Sequence, residues 1–233
     1  MTDKRTRERL RNVPADPMEW LPQVPLPTRS PVTITDPIVE PMWTGVRALM
    51  HFDASRGDDR RVILTDMEGA EIDPTDDEVL PALREAINAQ DAVLDGVLTW
   101  EASRTEEGTA LITESSATVT SMFLGRDHGV DVRRRDDSEG ETLAFVATDL
   151  LRVDGQPLLD VPLLERKRLL ESVVVQSERV RVSVYARPPI DVWVSTWKAA
   201  GFAGALLKAA NSRYIPGGYS EEWRAVTRIA ERR

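Results

Sequence analysis

Cysteine is absent from the 233 residues, and histidine occurs only at His51 and His128. Those two facts exclude disulfides, thiol nucleophiles, thiolate zinc sites and any three-histidine metal centre. Lysine is scarce too: Lys4, Lys167, Lys198 and Lys208 are the full set, the other basic residues being arginine. Candidates for lysine chemistry are therefore few. No apolar run reaches the roughly 18 residues of a membrane span. The N-terminal MTDKRTRERLRN also lacks the apolar centre of a signal peptide, so the expectation is a cytoplasmic protein with no membrane contact.

What is present describes a packed fold. With 41% hydrophobic and 30% charged residues, the chain can build one large domain or two small ones. Charge is unevenly spread: the first 11 residues carry +3, which leaves −12 on the remaining 222. Nucleic-acid binding draws on counterion release by Lys and Arg, so an acidic body predicts at most a weak nucleic-acid partner and points to a protein partner instead. The N-terminal arginine run reads as a solubilising tail.

Eight prolines between Val13 and Pro41 predict an extended arm wrapped over the surface. Val46–Phe52 and Arg61–Thr65 read as two antiparallel strands. Thr75-Asp76-Asp77-Glu78 has a capping-box pattern ahead of Val79, Leu83, Ala86 and Ile87, whose spacing marks one helical face. Further strands are expected at Ala92–Trp100, Leu111–Ile112, Thr142–Val153, Arg179–Tyr185, Ala205–Leu207 and Trp223–Ile229. Helices are expected at Pro162–Val173 and Ile190–Ala200, and a charged loop over Arg126–Gly140. Single helices interspersed among more numerous strands define an α+β domain of antiparallel sheets flanked by helices.

Four ordered segments sharpen this picture: Glu40-Pro41-Met42-Trp43-Thr44-Gly45-Val46-Arg47, Val93-Leu94-Asp95-Gly96-Val97, Phe145–Leu151 with Asp154-Gly155 and PLLERKRLLES, and Ala200–Lys208 followed by Asn211-Ser212-Arg213-Tyr214, Pro216-Gly217 and Trp223–Thr227. Together they resemble the adenylation (nucleotidyltransferase) domain of ATP-dependent DNA ligases, with its E-x-K-x-D-G-x-R, L-D-G-E, F-D-L-L…P-L-x-E-R and E-G-x-V-x-K…W-x-K-x-K motifs. The resemblance implies the fold shared with mRNA-capping nucleotidyltransferases, related to ATP-grasp architecture, over residues 25–230. Residues 1–24 then form a basic, Pro-rich arm, and no OB-fold domain is expected.

The same comparison assigns the site residues. Met42 stands where that family has its nucleophilic lysine, Thr44 at the following aspartate, and Val97 and Ala203 at two acids. Thr148 replaces the aromatic that stacks on adenine, Ala225 and Thr227 replace two lysines, and Glu40, Arg47 and Lys208 are the polar remainder. A thioether cannot form a phosphoramidate. The expectation is thus a catalytically degenerate domain with a vestigial nucleotide pocket, no catalytic residue, no metal and no cofactor, retained as a binding or scaffold protein linked to DNA repair. The alternatives are an active ATP-dependent DNA ligase that uses ATP and Mg²⁺ through a non-standard or partner-supplied nucleophile, and a noncovalent nucleotide or small-ligand sensor. Lys208 is expected to be a solvated charge at a strand end, with phosphate contact as the alternative. Arg47 is expected on an outward strand position, paired with a carboxylate such as Glu40. Lys198 should be a snorkelling surface residue, and both histidines ordinary.

Overall fold

Residues 13–28, 34–74, 76–100 and 142–227 are described in a computed structural model. They form two sheets. The larger one has the strand order β5-β4-β3-β6-β7-β8, built from β3 (Val46–Asp53), β4 (Val62–Thr65), β5 (Glu71–Ile72), β6 (Asp91–Thr99), β7 (Ala144–Val153) and β8 (Gln156–Pro157), with β9 (Val180–Val182) parallel to β7. The smaller has the order β1-β11-β10-β2, from β1 (Leu26–Thr28), β2 (Pro37–Pro41), β10 (Ala205–Ala209) and β11 (Trp223–Val226). Three α-helices accompany them among the described residues, α1 (Val79–Ala86), α2 (Leu163–Val173) and α3 (Ile190–Ala199), with a short 3-10 helix at Pro17–Glu19.

The period-two alternation of β3 and β6 splits their side chains between two cores. Ala48, Met50, Phe52, Ala92, Leu94 and Leu98 enter a core with α1 and the C-terminal half of α2. The opposite face offers Leu49 and Val93, which meet Trp20, Tyr214 and Trp223 between the sheets. Helix α2 spans both sheets: Leu163 packs on Ile38 and Ala210 of the small-sheet side, while Leu170 and Val173 join the large-sheet core. Helix α3 covers the outside of the small sheet, where Val194 and Trp197 pack against Val39 and Leu207.

Most expected elements form, with shorter ends at β9 and β11. The expected strand at Leu111–Ile112 and the loop over Arg126–Gly140 lie outside the described residues. At α1 the turn is held by Asp76, whose Oδ1 accepts from the Glu78 amide at 2.9 Å. The proline-rich stretch differs most from expectation. It is extended in part, but β2 is buried at all five positions and Trp20 is 3% exposed, so this segment is a component of the core. Its prolines sit where a ladder amide is dispensable: Pro37 opens β2, Pro41 closes it, and Pro27 lies on the edge strand β1.

Candidate functional site

Strand β2 delivers Glu40 to the interior between the sheets, where burial of a lone carboxylate would be prohibitive. Two ammonium groups resolve this. Lys208 on β10 approaches Glu40 Oε2 at 2.6 Å, and Lys167 on α2 pairs with Oε1, all three side chains being 1% exposed. Burial by itself raises the Glu40 carboxyl, but the two lysines override it and hold it below the ordinary carboxylate range. Burial and the neighbouring Lys167 charge push Lys208 below its ordinary value, against the pull of Glu40. Its ammonium also lies 4.2 Å above the Trp223 ring.

Two further buried carboxylates stand one strand apart. Asp95 on β6 and Asp149 on β7 are register partners, both without solvent exposure. Arg47 grips Asp95 in bidentate fashion, both contacts at 2.5 Å, and Arg166 does the same to Asp149 at 2.8 Å. The Tyr214 hydroxyl donates to Asp95 Oδ2 at 2.7 Å and accepts from the Gln23 amide at 2.8 Å. Burial and the Asp95 charge raise that phenol well above its usual value.

Thr148 occupies a bulge: β6 pairs Asp95 with Asp149 and Gly96 with Ala147, which leaves Thr148 as the extra residue. Its hydroxyl donates to the Asp95 carbonyl at 3.1 Å. Gly96 has no room for a side chain, since a Cβ there would come within 2.3 Å of the Phe145 ring.

The positions singled out from sequence are distributed as follows. Met42 follows β2 directly, half-buried, its amide donating to Gly204 O at 3.1 Å. Thr44 is half-buried in the link between β2 and β3. Val97 is buried opposite Arg47. Ala203 and Thr227 are exposed, and Ala225 is half-buried on β11 opposite Leu206. Glu40 and Lys208 are brought together.

Two expectations are corrected. Lys208 is no solvated charge but a fully buried one, because Glu40 gives it a counterion inside the fold. Arg47 pairs with Asp95 instead of Glu40 and is only partly exposed, its side chain at 18%, because residue 95 stands on the adjacent strand and the same face. Lys198 is exposed as expected. Lys167 and Arg166 were missed. A signal existed: with Leu163 and Leu170 they share one helical stripe, and a cation on a buried stripe demands an acid opposite.

A family model described as the ATP dependent DNA ligase domain matches residues 31–226. The chain belongs to that family. A DNA ligase of Natronomonas pharaonis is 30% identical over 187 residues, covering 79% of this chain and 31% of that protein. DNA ligase C1 of Mycolicibacterium smegmatis is 28% identical over 206 residues, covering 88% of this chain and 54% of its own length. This ligase-family chain thus spans about half, or less, of those relatives. Among solved structures, the ligase domain of LigD from M. tuberculosis superposes with a TM-score of 0.60 at 19% identity, over 90% of this chain and 60% of that one. A mycobacterial DNA ligase D complexed with ATP and MES gives 0.60 at 20% identity, over 91% and 61%. The α+β fold read from sequence is the fold of these ligase domains.

Magnesium is the metal such a family implies. The described carboxylates at this site, Glu40, Asp95 and Asp149, are each closed by cations, and Val97 and Ala203 offer no oxygen ligand from their side chains. That donor set does not fit a hard divalent ion. No helix among the described residues is long and apolar enough to cross a membrane.

Proposed function

We propose that this ligase-family domain has lost covalent adenylation and acts in the cytoplasm as a binding or scaffold protein, with a protein partner, linked to DNA repair. One observation carries the reading. Met42 stands at the position the motif gives to the attacking amine, while Lys167 and Lys208, the lysines of this interior, are both engaged by Glu40. Loss of a single charge stabiliser costs about 100- to 1000-fold in rate, whereas loss of the nucleophile removes the covalent path. The acidic balance of the chain supports a protein partner, and membership of the DNA ligase family supports the setting.

The test is incubation of the full chain with α-labelled ATP and Mg²⁺. No covalent label is expected. A labelled band abolished by substituting one lysine would establish an active nucleotidyltransferase instead, and nick sealing in the presence of candidate partners would identify a supplied nucleophile.

A specific observation favours a second reading, noncovalent nucleotide sensing. Arg47, Arg166, Lys167 and Lys208 face only Glu40, Asp95 and Asp149, so the fully ionised cluster carries one positive charge in excess. An anionic ligand would balance it. Thermal-shift titration with ATP, GTP, NAD and nucleoside monophosphates checks this, stabilisation rising with concentration being the positive result.

A further inference from the structure

A second polar cluster occupies the same face of the large sheet at its far end. Arg47 and His51 are four residues apart on β3, about 13 Å at the rise of a strand. Beside His51 the structure opens a cavity of about 370 Å³, at the low end of the roughly 300–1,000 Å³ typical of small-molecule sites. His51 is 7% exposed, its Nε2 lies 3.1 Å from Thr65 Oγ1, and its Nδ1 has no hydrogen-bond partner among the described residues. A buried nitrogen without a partner costs free energy that a bound polar atom would recover. Burial lowers this imidazole to about 4, the nearby Asp16 opposing and Arg56 assisting, so the ring is neutral at pH 7.

The rim is donor-rich at zero net charge. Arg56 and Arg152 bond Asp53 and Asp91 through Nε, at 3.1 and 2.6 Å, and no further bond from their terminal nitrogens is present among the described residues. The acids are occupied: Asp53 also accepts from the amide and hydroxyl of Ser55, and Asp16 accepts from the Met18 amide. Each guanidinium therefore keeps a two-nitrogen fork of the shape that matches a carboxylate. Pro17, Met18 and Val93 supply an apolar wall.

We propose that this cavity binds a small hydroxy-substituted monocarboxylic acid, its carboxylate on the arginine rim, its body against Met18 and Val93, and its hydroxyl on His51 Nδ1. A phosphate dianion fits less well: among the lining residues Asp16, Asp53 and Asp91 equal Arg56, Arg60 and Arg152 in number, and Arg60 is bonded to Glu71 at 2.9 Å, so the arginine forks act as hydrogen-bond donors with no cationic charge in excess and a dianion doubles the charge left uncompensated. The site is independent of the Met42 pocket and of whether adenylation occurs.

The experiment is an NMR titration of the full chain with 4-hydroxybenzoate, read on the His51 ring, one of only two imidazoles in the protein. Saturable shifts of the His51 signals are expected. Arg56→Gln, at an exposed position, should weaken binding about tenfold or more, the loss of one charge-assisted hydrogen bond. Benzoate, without the hydroxyl, should bind more weakly than 4-hydroxybenzoate, and His51→Phe should erase that difference. The proposal is overturned by silence at millimolar ligand, by undiminished affinity in Arg56→Gln, or by tighter binding of inorganic phosphate.

Discussion

Arg166 and Lys167 are consecutive residues of α2 that reach opposite sheets, the first closing on Asp149 of β7 and the second on Glu40 of β2. The helix thereby staples the two layers through charge as well as through Leu163 and Leu170. Removing one partner of a buried pair leaves the other uncompensated, at about 3–5 kcal/mol. Arg166→Ala is therefore expected to be severely destabilising. Urea unfolding should show a large fall in midpoint, and a loss under about 1 kcal/mol, as at a typical surface site, would contradict the staple.

Glu40→Gln should destabilise for a different reason, since it leaves the Lys167 and Lys208 ammonium groups facing one another without an anion. It also changes the acid limb of the stability curve. The folded-state value of Glu40 lies below its unfolded value of 4.5, so its contribution is complete above 4.5 and disappears as pH falls through the folded value. Wild type should lose stability on acidification below 4.5 more steeply than Glu40→Gln, measured by denaturation across that range. Parallel curves would refute the assignment.

Restoring one atom does not restore a reaction. Met42→Lys is expected to give no covalent adenylate with ATP and Mg²⁺, because Val97 and Ala203 leave no carboxylate for the metal, and Glu40 holds the lysines that would meet a phosphate. Intact-mass spectrometry decides: a shift of one AMP in the variant would show that the remaining groups still suffice.

Gly204→Ala tests the close approach of β10 to β11. A Cβ at that position would come within 2.2 Å of Val226 O and 3.0 Å of Thr227 Cα, both backbone atoms. The neighbouring strand must move, so overpacking of about 1–3 kcal/mol is expected. A thermal midpoint equal to that of wild type would show that β11 shifts freely.

The fold was legible wherever one residue type dictated local geometry. The apolar run closed by Asp154-Gly155 placed β7, and the proline at the first turn of PLLERKRLLESV placed α2. The proline-rich stretch misled because prolines at strand ends and edges are compatible with a buried sheet, a fact visible only once the neighbours of β2 are known. Met42, Thr44 and Val97 could be located by motif order alone. The partners of Lys208 and Arg47 could not: which acid meets which base depends on strand register, where Asp95, and not Glu40, stands beside Arg47.

Strand β1 runs parallel to β11, with Leu26 opposite Arg224 and Thr28 opposite Val226. About two hundred residues therefore separate a strand from the neighbour that completes it. During synthesis β1 must wait, unmated, until the intervening residues up to β11 have been made. Chains halted before Tyr214 would hold Gln23 without Tyr214, Ile215 and Ser220, and Trp20 short of Tyr214 and Trp223, an early-exposed stretch that a chaperone could engage.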